Sequence, residues 1–301
     1  MRHVFLTGAT GFIGRYLVRA LLDRGDRCTV VSRTGRDPWA DARVIVITGD
    51  PTRPGEWQRA VGGTDAVVNL AGERLVRPLY RWTAGRKVRL VASRTEATRQ
   101  VVAAIRAASP RPRALVNASG IGFYGERGDD ILDESASAGR DFLSGLVTEW
   151  ERAARNAEDV TRVVLFRTGL VLAGDAPAIT PMLPLFRLGL GGSWGNGRQW
   201  WSWIHIADLV GLALLAIDGP VAGPVNVTAP TPVTVDDFVF ALGAVLRRPV
   251  LFRMPAIGLR LALGEAADAL LHLQRAVPAT ALAAGYRFRF PTLREALKDL
   301  F

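Results

Sequence analysis

The first fourteen residues restrict the fold of this chain more than any other stretch. His3-Val4-Phe5-Leu6-Thr7 is a short, mostly apolar run that stops at Gly8, and Gly11 and Gly14 follow at intervals of three. Past Gly14 the period changes: Ile13, Leu17, Ala20 and Leu21 share one helical face, and Arg15, Arg19 and Asp23 share another. This is the pattern of a strand, a tight glycine turn and an amphipathic helix. Each glycine has its own physical task. One makes the turn, one lets the backbone approach a pyrophosphate, and one lets the helix pack close to the strand. The helix N-terminus then offers free N–H groups and a partial positive charge to phosphates. A plain βα turn that holds no ligand is the alternative reading of the same residues.

The next elements continue the alternation. Arg27 to Ser32 read as a second strand ending in Ser32-Arg33. A dinucleotide site selective for an unphosphorylated ribose usually places a carboxylate about 20 residues beyond the glycines, to accept from the 2′-OH. Here a hydroxyl and a guanidinium stand there, which suit a 2′-phosphate. The inferred cofactor is therefore NADP(H). A third strand covers Arg43 to Thr48 and ends near Asp50, a candidate for contact with an adenine ring, and a short helix covers Gly55 to Val61. A fourth strand, from Thr64, runs into the small-residue turn Leu70-Ala71-Gly72, where backbone can approach the cofactor. A long helix, Thr83 to Ala108, carries Arg94, which suits either a phosphate contact or a solvated helix face.

The fifth strand, Ala114 to Ser119, leads into Gly120-Ile121-Gly122-Phe123-Tyr124-Gly125. Ser119 thus falls at the carboxyl end of a central strand, where open α/β sheets bind their ligands. A helix starting near Asp141 and a sixth strand, Arg162 to Arg167, precede Thr168-Gly169-Leu170-Val171. The expected fold class is α/β: a doubly wound Rossmann sheet with helices on both faces. Beyond Val171 prolines interrupt the pattern, and Gly189 to Trp203 are rich in glycine and tryptophan, a binding loop or an irregular packed connector. His205 to Asp208 open a helix, Pro224 to Thr228 form a strand, and the rest is mostly helical. The expected division is a nucleotide-binding domain at 1–173 and 205–229 and a small, mostly helical substrate domain at 174–204 and 230–301.

The net charge of +10 raises the question of nucleic acid or membrane binding. All but two of the 38 basic residues, Lys87 and Lys298, are arginines, and they are scattered rather than gathered in a tract. The surplus favours anionic ligands such as phosphates. Neither nucleic acid nor membrane is expected as a partner; a small-molecule substrate is. The single cysteine, Cys28, excludes a disulfide framework and a cysteine-based metal site, and no metal is expected. No apolar run reaches the roughly 18 residues that span a bilayer, and Met1-Arg2-His3 leads straight into a strand. A cytoplasmic protein is expected.

Thr7-Gly8-Ala9-Thr10-Gly11-Phe12-Ile13-Gly14 resembles the glycine motif of the extended short-chain dehydrogenases/reductases. Asn69-Leu70-Ala71-Gly72-Glu73, Trp82, Ser93-Arg94, Trp150-Glu151, Arg167-Thr168-Gly169, Gly189-Leu190-Gly191-Gly192, Trp203-Ile204-His205 and Gly285-Tyr286 resemble an atypical subfamily. Its members are called epimerase-family, or sugar-nucleotide-epimerase-like, proteins, and the likeness covers essentially the whole chain. The resemblance implies an NADP(H)-binding, epimerase-like oxidoreductase with an unidentified small substrate. Its motifs imply cofactor contacts at Gly8, Gly11, Phe12, Ile13, Gly14, Ser32, Arg33, Leu70, Ala71, Gly72, Arg94 and Val171.

One departure stands out. The superfamily moves protons with a Tyr-x-x-x-Lys pair assisted by a serine. The tyrosines here are Tyr16, Tyr80, Tyr124 and Tyr286, and four residues on stand Ala20, Ala84, Gly128 and Phe290. Substitutes are Ser119 and, on the same loop, Tyr124; these two are the catalytic candidates. His205 titrates in the right range but reads as a hydrogen-bonded residue ahead of a helix. Asp129, Asp130, Asp133 and Glu134 read as a solvated acidic loop. The missing pair leaves a non-catalytic NADPH-binding or sensing protein as the alternative function.

Overall fold

The computed structural model describes residues 1–76, 81–272 and 274–301; Tyr80 lies outside them. Seven strands form the central sheet: β1 (His3–Thr7), β2 (Arg27–Ser32), β3 (Val44–Thr48), β4 (Ala66–Asn69), β5 (Ala114–Gly120), β6 (Arg162–Thr168) and β7 (Gly223–Val227). Their spatial order is β3-β2-β1-β4-β5-β6-β7, and every neighbouring pair is parallel. This is the expected doubly wound Rossmann sheet. The order reverses at β1, so a crevice opens beyond the carboxyl ends of β1 and β4.

A parallel sheet covered on both faces needs strands that are apolar on both sides. Val4 and Leu6 point into one hydrophobic cluster with Leu17, Leu21, Leu209 and Leu212. Phe5 points the other way, into a cluster with Trp57, Val101 and Ile105. The helices that supply these residues are α1 (Phe12–Asp23) and α4 (Ile206–Asp218) on the first face, and α2 (Ala84–Ala107) and α3 (Phe142–Arg155) on the second. Each fully buried Leu, Val or Phe stabilises by about 1.5–3 kcal/mol, and Cys28, fully buried in β2, behaves as one more apolar side chain.

Side chains fix the starts of three of these four helices. Thr83 accepts from the Arg86 N–H for α2, and Asp141 accepts from the Ser144 N–H at 2.8 Å for α3. His205 Nδ1 accepts from the Ala207 N–H at 3.1 Å for α4. The start of α1 has no side-chain cap and no acidic residue in its first turn.

The remainder of the chain holds α5 (Val235–Leu246) and α6 (Leu293–Leu300), with shorter helical pieces between them. Short strand pairs tie it down. Gly192–Trp194 pairs with Phe252–Met254, Trp200–Trp201 with Val233–Thr234, and Ile131–Leu132 with Arg275–Ala276. Asp208 holds the last segment by accepting from the Arg289 and Phe290 N–H groups at 2.7 and 2.9 Å. No described helix is long and apolar enough to cross a membrane.

Candidate functional site

The glycine turn has no room for side chains where it meets β4 and where α1 begins. Gly8 has φ +68°, and a Cβ there would lie 2.5 Å from the Leu70 carbonyl carbon and 2.8 Å from the Ala71 nitrogen. The turn therefore lies directly against the end of β4. A Cβ on Gly14 would meet Ala9 Cα at 2.4 Å, so only glycine lets α1 pack onto the turn that follows β1. Gly11 donates to the Gly8 carbonyl at 3.0 Å and is the residue from which α1 starts. Phe12, Ile13, Leu70 and Val171 are half-buried and pack against the same hydrophobic cluster.

At the end of β2, Ser32 is buried and its Oγ accepts from the Thr34 N–H at 3.4 Å. Arg33 is exposed and makes no ion pair among the described residues. Burial raises the pKa of the neighbouring Asp50, but hydrogen bonds from Thr52 and the charges of Arg33 and Arg53 outweigh it, and the net shift is downward. Asp50 Oδ1 already accepts from the Thr52 N–H and hydroxyl, at 3.0 and 2.8 Å. The carboxylate thus fixes its own turn, and this oxygen has two donors before any adenine ring is considered.

Arg94 lies on the inner face of α2 with 6% of its surface exposed. Its Nη2 donates to the Glu73 carbonyl at 2.7 Å and its Nη1 to the Leu90 carbonyl at 3.0 Å. Nε is buried with no acceptor, and no carboxylate lies within 4.0 Å among the described residues. Burial lowers its pKa to about 10, so it is still a cation at neutral pH. A Cβ on Gly72 would sit 3.3 Å from this guanidinium. A buried cation short of one acceptor, with no carboxylate within 4.0 Å among the described residues and next to a strand-end glycine, suits an anionic group in the crevice. Of the two readings of Arg94, the solvated helix charge is excluded by its burial. With the exposed Arg33 and the closed glycine turn, these residues fit a phosphorylated dinucleotide.

Below the crevice the strand ends are locked by a buried polar network. Asn69 Oδ1 accepts from the Thr7 hydroxyl at 2.5 Å, and Asn69 Nδ2 donates to Thr98 and Asn117 at 2.9 and 2.7 Å. Trp150 Nε1 donates to Thr98 at 3.0 Å. The motif around Asn69 and Trp150 is therefore structural support beneath the turn at Leu70-Ala71-Gly72.

Ser119 Oγ donates to Glu151 Oε1 at 2.6 Å. Arg167 Nε and Nη2 donate to the two oxygens of the same carboxylate at 2.8 and 2.9 Å. Burial pulls the Arg167 pKa down, but the hydrogen bonds and charge of Glu151 overcome it and the net shift is upward. Arg167 Nη1 donates to the Tyr124 hydroxyl at 3.1 Å, which donates in turn to Asn226 Oδ1 at 2.7 Å. The Arg167 guanidinium also lies 3.5 Å from the centre of the Phe123 ring. This chain of groups crosses from β5 through α3 and β6 to β7.

The network alters several expectations. Tyr124 has no exposed surface, and burial raises its pKa. Its phenol is enclosed by Arg167 and Asn226 and presents no face to a substrate, whereas Ser119 keeps 7% exposure at the strand end. Glu134 leaves the expected solvated loop. Its Oε1 accepts from the Asn226 and Thr280 N–H groups at 2.8 and 3.2 Å, and its Oε2 is buried without a partner. His205 caps α4, as its place ahead of a helix suggests. The aromatic loop is of both kinds: Trp201 and Trp203 are core, and Trp200 lines a cleft. The Glu151–Arg167 pair escapes sequence reasoning, although both residues sit in motifs of the subfamily, because nothing in their spacing shows that they meet.

Comparison with known proteins agrees with this geometry. Residues 4–228 match the model of the NAD dependent epimerase/dehydratase family, and residues 254–300 match a domain of unknown function, DUF1731. The mouse epimerase family protein SDR39U1 is 39% identical over 303 residues, covering 99% of this chain and 99% of its own. A crystal structure of human SDR39U1 (isoform 2) with NADPH superposes with a TM-score of 0.89 at 37% identity, covering 99% of this chain and 98% of that one. A nucleoside-diphosphate sugar epimerase from Corynebacterium glutamicum gives 0.78 at 30% identity, covering 99% of this chain and 58% of that one. The chain belongs to the NAD dependent epimerase/dehydratase family of extended short-chain dehydrogenases/reductases, among the relatives of SDR39U1.

Proposed function

We propose that the protein is an NADP(H)-dependent, epimerase-like oxidoreductase that acts on a small anionic substrate. The observation that carries the cofactor reading is Arg33: an exposed guanidinium, without an ion pair among the described residues, at the end of β2, where a dinucleotide presents its 2′-substituent. The NADPH of the human relative's structure supports it. Gly8 to Gly14 receive the pyrophosphate against the α1 N-terminus, Arg94 supplies a buried charge from α2, and Leu70 to Gly72 and Val171 pack along the cofactor. The bound cofactor supplies or takes up a hydride. Ser119 is the hydroxyl that meets the substrate, and Tyr124 holds the loop that follows it.

Titration of the purified chain with NADPH and NADH tests the cofactor. NADPH is expected to bind at least about tenfold more tightly, since one charge-assisted hydrogen bond is worth about 1.5–3 kcal/mol. Arg33→Ala should erase the preference by weakening NADPH alone. Equal binding of the two cofactors, or an Arg33→Ala variant with unchanged NADPH affinity, removes the 2′-phosphate argument.

A second reading, a non-catalytic NADPH sensor, is favoured by one observation. The first two turns of α3 bring Phe142, Leu143, Leu146 and Val147 to the cluster around Trp82 and Leu263, with no titratable group among them. Screening NADPH oxidation against carbonyl compounds and sugar nucleotides separates the readings. Turnover that disappears in Ser119→Ala supports the enzyme; stoichiometric NADPH binding with an inert cofactor across the panel supports the sensor.

A further inference from the structure

We propose that the groove of about 460 Å³ between the carboxyl half of α5 and α6 is a binding site for a small amphiphilic anion, an apolar chain that ends in a carboxylate or a phosphate. None of its lining residues belongs to the site described above, so the inference stands apart from the cofactor reading. The floor comes from both helices. Ala241 and Val245 are four apart on α5 and share a face. Phe301 follows the last turn of α6, its N–H donating to the Leu297 carbonyl at 3.1 Å. All three are half-buried and pack against the main hydrophobic cluster, so the floor is apolar and fixed.

The rim is cationic. Arg294 and Lys298 are four apart on α6, where like charges repel. Arg247 closes α5 beside them with φ +54° and ψ +45°, a left-handed conformation that glycine adopts with the least strain. The chain carries a long cation at that position instead.

Nothing on either helix neutralises these charges. No carboxylate lies within 4.0 Å of Arg247, Arg294 or Lys298 among the described residues. Both acidic residues of each helix are engaged elsewhere. On α5, Asp236 pairs with Arg253 at 2.8 Å, and Asp237 accepts from the Thr234 hydroxyl at 2.7 Å. On α6, Glu295 accepts from the Thr292 hydroxyl at 2.6 Å, and Asp299 stands 3.3 Å from His205 Nε2.

One kind of ligand answers both features. A guanidinium fork matches the oxygens of a carboxylate or a phosphate, and an apolar chain removes the floor from water. A bare inorganic anion would leave the floor wet, and a neutral apolar molecule would leave the cations without an anion. The volume suits a small organic molecule.

Calorimetric titration of the full chain tests this with octanoate and octyl phosphate. Acetate and inorganic phosphate serve as head-only controls, and octan-1-ol as the tail-only control. At least one of the two amphiphiles is expected to bind with a Kd below about 1 mM, and each control at least about tenfold more weakly. Arg294→Glu reverses a rim charge at an exposed position, and Ala244→Trp fills the groove from an exposed position on α5. Each should weaken binding about tenfold or more while leaving NADPH affinity unchanged. Arg111→Glu makes the same change of net charge at an exposed position outside the groove, and should weaken binding less than about twofold. Octanoate binding alone assigns a carboxylate head, and octyl phosphate alone assigns a phosphate. The proposal is overturned if neither amphiphile binds at about 10 mM, or if octan-1-ol binds as tightly as they do. It is equally overturned if Ala244→Trp leaves the affinity unchanged, or if Arg294→Glu weakens it no more than Arg111→Glu.

Discussion

Glu151→Gln keeps the shape of the side chain and removes its charge. The consequence follows from what surrounds it. Glu151 and Arg167 are each 3% exposed, and the two nitrogens of the fork reach the carboxylate at 2.8 and 2.9 Å. After the change Arg167 remains charged and buried. One of its nitrogens faces an amide N–H₂ instead of an oxygen. Breaking a buried pair from one side costs about 3–5 kcal/mol, because an uncompensated charge is left behind. At about 2–4 °C per kcal/mol for a chain of this order of size, Tm should fall by about 6–20 °C.

Urea unfolding followed by circular dichroism measures the free energy, provided the m-value matches that of the wild type. The sharper measurement is the double variant. Glu151→Leu with Arg167→Leu removes both charges, and buried pairs replaced by apolar residues are often neutral or better. The double variant loses the Ser119 and Tyr124 hydrogen bonds as well, so it should stay below the wild type yet above either single variant. A Glu151→Gln loss under about 1 kcal/mol would mean that water reaches the pair. Additive single effects would mean that the two residues do not act on each other. Either result would refute a dry, coupled ion pair at the centre of the network.

Three other outcomes can be checked with the same unfolding assay. Gly8→Ala combines a positive φ with a Cβ 2.5 Å from backbone, and should cost about 1–3 kcal/mol or more along with NADPH binding. Tyr124→Phe leaves Asn226 Oδ1 and Arg167 Nη1 each one partner short, so a loss of about 1–3 kcal/mol is expected, with NADPH affinity within about twofold of wild type. Burial lowers the His205 pKa below 6.5, against the opposing pull of Asp299 and Asp208. The unfolded chain then binds the proton more readily than the folded one, so stability is full above 6.5 and falls as pH drops from there toward the folded value. His205→Asn, which keeps a capping acceptor, should flatten that part of the pH profile, and an unchanged profile would show that another group titrates.

The glycine turn is legible in the sequence because its demands are local. Gly8, Gly11 and Gly14 answer to a turn, an approach and a packing contact, all within one βα unit. The exposed place of Arg33 is legible for the same reason, being set by the end of β2. Arg94 is half legible, since its place on α2 is clear but the face it occupies depends on how that helix meets β4 and β5. The Glu151–Arg167 pair cannot be read, because one partner is on a helix, the other on a strand, and their meeting depends on the packing between them. Tyr124 misleads on similar grounds. A tyrosine after a central strand can face the crevice or the body of the fold, and the residue that decides it, Asn226, arrives on β7 more than a hundred positions later. The aromatic loop divides for a tertiary reason too, since the short strands that pair Trp200–Trp201 and Trp203–His205 turn alternate rings inward.

The buried network also restricts what Ser119 can do. A carboxylate only accepts, so the single hydrogen of the serine lies on its bond to Glu151 Oε1. Arg167 meanwhile occupies both oxygens of that carboxylate and holds its orientation. The serine therefore meets the crevice with lone pairs rather than with a proton. It suits a substrate hydroxyl, which can donate to it, better than a substrate carbonyl, which cannot. Delivering a proton to a carbonyl would require the serine to give up the Glu151 bond first. In the role proposed for Ser119, the same fixed network favours a ligand hydroxyl that donates a hydrogen bond to the serine oxygen.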